Sequence, residues 1–409
     1  MVEFADWYNK QNMKNLFIIW DEPLNITGGG IHRCINCLIK YLPQRGFGVY
    51  YLYTRDQYKT FNHELREGEI KTYSLKGLRN FLIENNCDAI LGQEAAFSST
   101  LTRVVTELNI PEVKLLNQYH CSLLYFDKKL NFDYLRYSWT TKKSLKNRLG
   151  IAARALTYPL WRYNALRKQR EVYRYNYNHS DVSLLLSEHE IPIMAKITGD
   201  ETHSRCIAIN NPLSWEEIAN ADILEEKKKE VLIVSRIYNI EKRIDLALKA
   251  WEKIEKSGKA EGWTLRIVGD GIDKESLQEM ANRMKLQHIV WEKRQDPRPF
   301  YRTASIFLLT SIVEGWALTI TESMQYAVVP IAFDSYPAVR SIITDRYDGL
   351  LIPSKHIDDL AERLCDLMHN DSKREQMALN CLDSCRRFSI NKIMDQWVTM
   401  MDNLLKDKE

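Results

Sequence analysis

Two successive series of alternating strand and helix patterns constrain the fold of this 409-residue chain more than any other feature. The predicted strands lie at 15–20, 49–53, 89–91, 113–117, 184–187 and 206–209, and then at 231–235, 264–268, 289–291, 306–309, 329–333 and 350–352. Asn210-Asn211-Pro212 separates the two series. Strands that alternate with helices in this way favour parallel sheets covered on both faces. The sequence therefore predicts an α/β protein with two doubly wound domains.

Size and composition are consistent with two hydrophobic cores, because 45% of the residues are apolar. No apolar run reaches the roughly 18 residues that a membrane-spanning helix requires, and the N-terminus is polar, so we expect a soluble, cytoplasmic protein. Eight cysteines are scattered along the chain. Cys34 and Cys37 fall inside a predicted helix without a second pair of ligands, so reduced thiols are expected.

Glu314 and Glu322 flank the predicted start of a helix that follows the strand at 306–309. Between them, Gly315 allows the backbone to approach a ligand closely, and the amides of Trp316, Ala317 and Leu318 are predicted to be unpaired donors at the helix N-terminus. Such a terminus can bind an anion. Two carboxylates around a phosphate site suit a nucleotide sugar, whereas the alternative interpretation is an amphipathic helix with two solvated glutamates.

This segment resembles the E-x7-E element of the retaining glycosyltransferases of family 4, the group 1 glycosyltransferases, which have the GT-B fold. The resemblance extends over most of the chain and is most specific from 231 to 353. It implies that Glu314 is a catalytic residue that holds the donor sugar and that Glu322 binds the ribose. It also implies two Rossmann-like domains facing a cleft, with a C-terminal helix that crosses back to the first domain.

We accordingly predict an N-terminal acceptor-binding domain over 1–212, with a basic insert at 136–178. A donor domain that binds a nucleotide sugar is predicted over 213–386. The remaining segment, 387–409, is predicted to be a helix that packs on the first domain.

A loop with two cations follows the first strand of the second series. Arg236 and Lys242 can clamp a diphosphate, since Arg offers a planar fork of donors and Lys a point charge. The pair resembles the Arg-x5-Lys element of the family, in which a Gly usually follows the Lys; here Arg243 stands in that place. Either Lys242 or Arg243 could therefore reach the phosphate, and the register favours Lys242. The alternative is a pair of solvated cations.

Three further features resemble elements of the family. The loop Gly28-Gly29-Gly30 lies between a strand and a helix predicted to start at Ile31, and its amides could meet a phosphate or the acceptor. His120 follows the strand at 113–117, where the family often has a His that touches the donor sugar near the anomeric carbon, so the resemblance implies a catalytic residue; a structural histidine is the alternative. Gly269-Asp270-Gly271 resembles the strand-end Gly-x-Gly of the family, although a simple turn explains it equally well.

The segment 136–174 is strongly basic. It contains eleven Lys or Arg residues and one acidic residue, which leaves the rest of the chain with a net charge of about −7. Leu145, Leu149, Ala152 and Leu156 share one predicted helical face, and aromatic residues that include Trp161, Tyr163, Tyr173, Tyr175 and Tyr177 interleave with cations. This pattern favours an anionic membrane surface. A solvated pair of helices is the alternative; nucleic acid is not expected, since no nucleic-acid-binding module accompanies the segment.

The resemblance implies a retaining glycosyltransferase. No metal or other cofactor is expected, because the chain lacks an Asp-x-Asp motif and cations are available for the diphosphate. The expected donor is a nucleoside-diphosphate sugar, and the expected acceptor is a lipid-linked saccharide or an oligosaccharide in cell-surface polysaccharide, lipopolysaccharide or glycolipid synthesis. The expected location is the inner face of the cell membrane. The alternatives are a nucleotide-sugar epimerase or hydrolase of the same fold and a non-catalytic subunit that binds nucleotide sugars.

Overall fold

The computed structural model describes residues 13–25, 28–66, 69–93, 95–141 and 144–406. Its contacts divide the chain into two compact units. The first unit contains the described parts of Met1–Leu123, Arg167–Pro212 and Ile390–Glu409, and the second contains those of Leu124–Leu166 and Leu213–Ser389. Lys142 and Lys143 of the basic segment lie outside the described residues.

Fourteen strands occur in the described residues. They are β1 (Lys14–Trp20), β2 (Phe47–Tyr53), β3 (Thr60–Arg66), β4 (Glu69–Ser74), β5 (Cys87–Gly92), β6 (Lys114–Gln118), β7 (Val182–Leu185), β8 (Cys206–Ala208), β9 (Glu230–Val234), β10 (Thr264–Val268), β11 (Ile289–Glu292), β12 (Ile306–Leu309), β13 (Val329–Asp334) and β14 (Leu350–Pro353).

The described α-helices connect or flank these strands. They are α1 (Gly30–Tyr41), α2 (Leu75–Glu84), α3 (Thr100–Leu108), α4 (Tyr125–Lys129), α5 (Phe132–Thr141), α6 (Leu145–Leu156), α7 (Tyr158–Asn178), α8 (Ile191–Thr198), α9 (Asn239–Lys242), α10 (Ile244–Lys256), α11 (Lys274–Arg283), α12 (Arg298–Thr303), α13 (Leu318–Gln325), α14 (Val339–Ile342), α15 (Ile357–His369), α16 (Asp371–Ser384) and α17 (Ile390–Leu405). None of them is both long and apolar enough to cross a membrane.

The sheet of the first unit has the order β4-β3-β2-β1-β5-β6-β7-β8. In this order, the strands β2, β1, β5, β6, β7 and β8 pair in parallel. The strands β3 and β4 form an antiparallel hairpin, and β3 pairs antiparallel with β2 at the edge of the sheet. Successive residues of β1 serve opposite faces: Leu16 and Ile18 lie in the core cluster with α1 and α17, whereas Phe17 packs toward α2 and α3. The strands β3 and β4 were not predicted, because their largely polar residues give no apolar strand pattern.

The sheet of the second unit is entirely parallel, with the order β11-β10-β9-β12-β13-β14. From β9 the chain adds β10 and β11 on one side, and it then adds β12, β13 and β14 on the other side. The boundary between β9 and β12 is therefore a topological switch point of the sheet. Strands such as Ile306–Leu309 are buried along their whole length. Their continuous apolar runs reflect a sheet that is covered on both faces.

The basic segment is divided between the units, which corrects the prediction that all of 136–178 belongs to the first domain. Residues up to Leu166 are grouped with the second unit, and those from Arg167 with the first. Tyr137 is one residue that ties the first part of the segment to the second unit, because its hydroxyl donates to the carboxylate of Asp273 at 3.2 Å. Tyr173 and Tyr177, in contrast, are buried in a core cluster of the first unit.

The cysteines form no disulfides; all eight are free thiols. Cys34 and Cys37 are both buried on α1. Burial raises the pKa of the Cys34 thiol, which keeps it protonated. The two residues pack as part of the helix, in keeping with the expectation of reduced thiols.

Candidate functional site

Lys242 and Glu314 meet at the switch point of the second sheet. Lys242 ends α9, which follows β9, and Glu314 lies in the loop between β12 and α13. The Lys242 Nζ donates a hydrogen bond to a carboxylate oxygen of Glu314, and the two side chains are only 17% and 15% exposed. Ligands of open α/β sheets bind beyond the carboxyl ends of the strands at such points. The fold therefore brings together two residues that are 72 positions apart.

Arg243 points elsewhere. Its Nε and Nη2 atoms donate to the two carboxylate oxygens of Asp245 at 2.9 and 3.0 Å. Burial lowers the pKa of the Arg243 guanidinium, but the bonds to Asp245 and the charge of Asp133 outweigh burial and raise it. The backbone of Arg243 has φ +48°, in the left-handed region that favours glycine. A glycine would adopt this conformation without strain.

Arg236 is the exposed cation of this loop. Its side chain is 67% exposed, and its Nη2 atom lies 3.0 Å from Oε2 of Glu241. The guanidinium also lies over the ring of Tyr238, 5.4 Å from the centroid. Because Arg236 is open to solvent while Lys242 is largely enclosed, the two cations differ in how readily they can turn toward an incoming anion.

The turn Gly269-Asp270-Gly271 at the end of β10 packs directly on the loop that carries Arg236. A Cβ atom on Gly269 would stand 1.9 Å from the carbonyl oxygen of Ser235, and one on Gly271 would stand 2.2 Å from that of Ile237. The Ile237 amide donates to the carbonyl of Asp270 at 2.8 Å. The two glycines are thus required by the close approach of two backbones, which holds the Arg236 loop against the sheet.

The N-terminus of α13 differs in one respect from the sequence prediction. The Leu318 amide, predicted to be unpaired, donates to the Trp316 carbonyl at 3.0 Å. The amides of Trp316 and Ala317 show no acceptor within the described residues. The Trp316 indole packs edge-on against Phe388, with the ring centroids 5.1 Å apart, and so anchors the loop that includes Gly315.

Glu322 is buried, and this excludes the interpretation of a solvated helix face. It is 1% exposed, and its carboxylate accepts hydrogen bonds from Ser214 Oγ at 2.6 Å and from Tyr301 Oη at 3.1 Å. Neither hydroxyl was predicted as part of the site. Ser214 is 108 positions away, and a lone Ser or Tyr carries no pattern that could have indicated the contact.

In the first unit, the glycine loop precedes α1. The helix begins at Gly30, one residue earlier than predicted, and Gly29 is its extended N-cap residue. A Cβ on Gly28 would come within 2.1 Å of the His32 ring, whereas Gly29 has free space around its Cα. His32 itself packs against Trp20, 4.7 Å between ring centroids. Gly28 therefore makes room for a packed histidine at the start of the helix.

His120 follows β6 in the first unit, and its Nε2 atom is hydrogen-bonded to Oε1 of Gln93. Gln93 lies just after β5 and was not identified from the sequence. Burial lowers the pKa of His120 to about 3, so the imidazole is neutral at physiological pH. A neutral imidazole can exchange hydrogen bonds with a hydroxyl but offers no positive charge to a phosphate.

The carboxylates of the site are paired with Lys, Arg, Ser and Tyr rather than gathered together. Over the ranges that the structure describes, no three His, Cys, Asp or Glu side chains are grouped in the manner of metal ligands. The predicted residues form two groups: the glycine loop and His120 in the first unit, and Arg236, Lys242, Glu314 and Glu322 in the second.

Part of the chain is similar in sequence to known glycosyltransferases. Residues 216–381 match the sequence model of the family described as glycosyl transferases, group 1. An uncharacterized glycosyltransferase of Haemophilus influenzae is 28% identical over 193 residues, which cover 47% of this chain and 53% of that protein. The poly(glycerol-phosphate) alpha-glucosyltransferase of Bacillus subtilis is 23% identical over 279 residues, 66% of this chain and 40% of that protein. The chain thus spans about half the length of the curated relatives it matches.

Solved structures resemble the chain over nearly its whole length. The pneumococcal O-GlcNAc transferase GtfA, crystallised with UDP and GlcNAc, has a TM-score of 0.66 at 12% identity, covering 96% of this chain and 99% of that one. An identity this low establishes the fold alone. The chain therefore has the GT-B fold, as predicted, and its segment 216–381, which contains Arg236, Lys242, Glu314 and Glu322, matches the sequence model of the group 1 glycosyl transferases.

Proposed function

We propose that this chain is a retaining, metal-independent glycosyltransferase of family 4. It transfers a sugar from a nucleoside-diphosphate sugar to a saccharide acceptor carried on a lipid, in cell-surface polysaccharide or glycolipid synthesis. The observation that carries the proposal is the ion pair of Lys242 and Glu314 at the switch point of the second sheet. A cation for the leaving diphosphate and a carboxylate for the sugar stand side by side there.

The departing diphosphate is held by Arg236, Lys242 and the free amides that precede α13. Each charge-assisted hydrogen bond contributes about 1.5–3 kcal/mol. Two or three such bonds that strengthen in the transition state accelerate departure by about 10³ to 10⁶-fold. Protein cations thus neutralise the leaving group, so the reaction needs no metal.

Transfer proceeds with retention. The bond between the anomeric carbon and the diphosphate oxygen breaks, and the acceptor hydroxyl forms its bond from the same face while its proton passes to a phosphate oxygen. Glu314 accepts hydrogen bonds from the sugar hydroxyls and stabilises the oxocarbenium-like centre. Glu322 accepts a bond from a ribose hydroxyl in place of Ser214 or Tyr301.

The relatives favour a uridine nucleotide and a polymeric acceptor. GtfA was crystallised with UDP, and the Bacillus subtilis relative is named as an alpha-glucosyltransferase of poly(glycerol-phosphate). An α-linked product is what retention gives from an α-linked nucleotide sugar. We therefore assign a UDP-hexose as the donor class.

An apolar–basic surface on α5, α6 and α7 supports attachment to an anionic membrane. Among the described residues, six of the twelve exposed large hydrophobic side chains lie there: Phe132, Trp139, Leu149, Leu156, Leu160 and Tyr163. Lys146, Arg148 and Arg154 are interspersed with them. Exposed apolar side chains among cations match the interfacial region of a bilayer. We propose that this surface holds the protein on the inner face of the cell membrane, near a lipid-linked acceptor.

The part of the basic segment that is available to lipid is smaller than the sequence pattern predicts. Tyr173 and Tyr177 are buried in the core of the first unit and are not available to lipid. Arg162 donates to the carbonyls of Leu130 and Asp127, and Arg174 donates to that of Ile197. These residues stabilise the fold, which leaves α5, α6 and the beginning of α7 as the region that faces a membrane.

The function is tested by thermal unfolding with UDP, GDP, ADP and their sugars, with and without EDTA, followed by turnover assays with the best donor. A ligand at 100 times its Kd stabilises by about 2.7 kcal/mol. Glu314→Gln should lower kcat by about 10² to 10³-fold while UDP still binds. Glu226→Gln, at an exposed carboxylate paired with Arg302, is the matched control. Turnover of Glu314→Gln within twofold of wild type would refute the assignment, and binding without turnover by wild type would favour a non-catalytic subunit.

A further inference from the structure

Glu241 joins the segment 124–141 to the loop that carries Arg236, and all of these contacts lie within the second unit. Its Oε1 atom accepts hydrogen bonds from Tyr125 Oη at 2.7 Å and from Lys129 Nζ at 2.8 Å, both on α4. Its Oε2 atom accepts from Arg236 at 3.0 Å. One carboxylate therefore connects α4 with the exposed cation of the candidate site.

Two further contacts brace the same segments. The hydroxyl of Tyr137, on α5, lies 3.2 Å from both oxygens of the Asp273 carboxylate, which also accepts from the Asn239 amide at 2.7 Å. Asp133 lies 3.6 Å from the Arg243 guanidinium. The short helix α9, which ends in Lys242, is thus held from the side of α4 and α5 at both of its ends.

Glu241 cannot easily exchange these partners for water, because it is only 8% exposed. Burial raises the pKa of Glu241, but the hydrogen bonds from Lys129 and Tyr125 and the charges of Lys129 and Arg236 outweigh it and keep the pKa below its usual value. A buried carboxylate that loses a partner is strongly destabilised, so its orientation depends on the bonds it keeps. The long Arg236 side chain, in contrast, is mostly exposed and gains its order from Glu241 and Tyr238.

We propose that α4 is part of the donor site: Tyr125 and Lys129 orient Glu241, and Glu241 is a positioning residue that presents Arg236 to the diphosphate. The proposal rests on the proposed function, because it assigns the ligand of Arg236 as a nucleoside diphosphate. It goes beyond the family elements by giving a binding role to a helix that lies outside the matched segment 216–381. The chain that continues from α4 into α5 and α6 also carries the apolar–basic surface.

The test measures the Kd for UDP by calorimetry in Tyr125→Phe and Lys129→Met. Each change removes one bond to Glu241 without removing a group that touches the nucleotide. We expect the Kd to rise about three- to tenfold, since tenfold corresponds to the loss of one ordinary hydrogen bond. Tyr177→Phe, which removes a bond to the Asp200 carboxylate, and Lys373→Met, which removes one to Asp366, are the matched controls and should leave the Kd unchanged.

A double-mutant cycle with Arg236→Ala separates positioning from general stability. If Tyr125 acts through Glu241 on Arg236, the effect of Tyr125→Phe on the Kd disappears in the Arg236→Ala background. Additive effects in the double variant, or an unchanged Kd in both single variants, would overturn the proposal. If wild type bound no nucleotide, the proposed function itself would fall, so the two failures are distinct. Circular dichroism and the unfolding midpoint identify any variant that has lost its fold.

Discussion

The Arg243 guanidinium is held by both carboxylate oxygens of Asp245, at 2.9 and 3.0 Å, and this pairing leaves Lys242 as the cation beside Glu314. Two adjacent cations thus have different partners, and the backbone of Arg243 is left-handed, with φ +48°. Substitutions of Lys242 and of Arg243 are therefore expected to affect nucleotide binding differently.

Lys242→Ala should impair catalysis, whereas Arg243→Gly should change it little. Glycine adopts the positive φ of residue 243 without strain, so we expect nucleotide affinity and turnover to stay within about threefold of wild type. Lys242→Ala removes a charge-assisted bond to the leaving group and should lower kcat/KM by about 10- to 100-fold, at 1.4 kcal/mol per tenfold. Steady-state kinetics on both variants checks this. Equal losses would mean that Arg243 also reaches the phosphate.

The glycine loop offers a matched pair of substitutions. In Gly28→Ala the new Cβ would stand 2.1 Å from the His32 ring, whereas in Gly29→Ala it would meet nothing within 4 Å. Overpacking of this kind costs about 1–3 kcal/mol. We expect Gly28→Ala to lower the unfolding midpoint in denaturant and Gly29→Ala to change it little. Identical midpoints for the two variants would contradict the packing described for His32.

The apolar–basic surface predicts lipid-dependent recovery in flotation. Burying a leucine side chain contributes about 1.5–3 kcal/mol, and each nearby cation adds about 1 kcal/mol at an anionic surface. Replacing both Leu149 and Leu156 with Ser should therefore reduce binding to vesicles of phosphatidylglycerol and phosphatidylcholine by at least about tenfold. Leu379→Ser, at an exposed leucine of α16, should bind as wild type does. Equal recovery of wild type on purely neutral vesicles would argue against the electrostatic part.

Glu190 predicts a pH dependence of stability in the first unit. Burial raises its pKa to about 7, although a bond from the Leu123 amide at 3.2 Å opposes the shift. A carboxyl with a raised folded-state pKa binds its proton more tightly when folded. Its contribution is therefore complete below about pH 4.5, the unfolded value, and is lost as the pH rises through about 7.

Hydrogen exchange of amides around Glu190 between pH 5 and 8, corrected for intrinsic rates, measures this dependence locally. The free energy of opening should fall by about 2–4 kcal/mol across the range, at 1.36 kcal/mol per pKa unit. Glu190→Gln should flatten the profile, because a neutral amide does not titrate. A profile that keeps its slope in Glu190→Gln would assign the effect to another group.

Local sequence patterns predicted much of the framework. The strands Thr264–Val268 and Ile306–Leu309 have the bounds read from the sequence, and the helix Ile390–Leu405 lies within the predicted helical segment 387–409. Apolar runs and amphipathic periods are properties of neighbouring residues. The β3–β4 hairpin was not predicted, because its largely polar strands lie at the edge of the sheet. The first part of the basic segment was wrongly assigned to the first domain, because chain order gives no information about which core a connecting helix packs against.

The candidate site divides in the same way. The sequence by itself determined the α/β class, the order of the strands along the chain and the residues at their carboxyl ends, Arg236, Lys242 and Glu314 among them, since strand ends and loops follow from local periodicity. Only the tertiary structure decided that Lys242 rather than Arg243 faces Glu314, that Ser214 and Tyr301 hold Glu322, and that Glu241 joins α4 to Arg236. Such contacts join residues far apart in the chain, and the burial that makes them strong exists only once the sheet and its helices have packed.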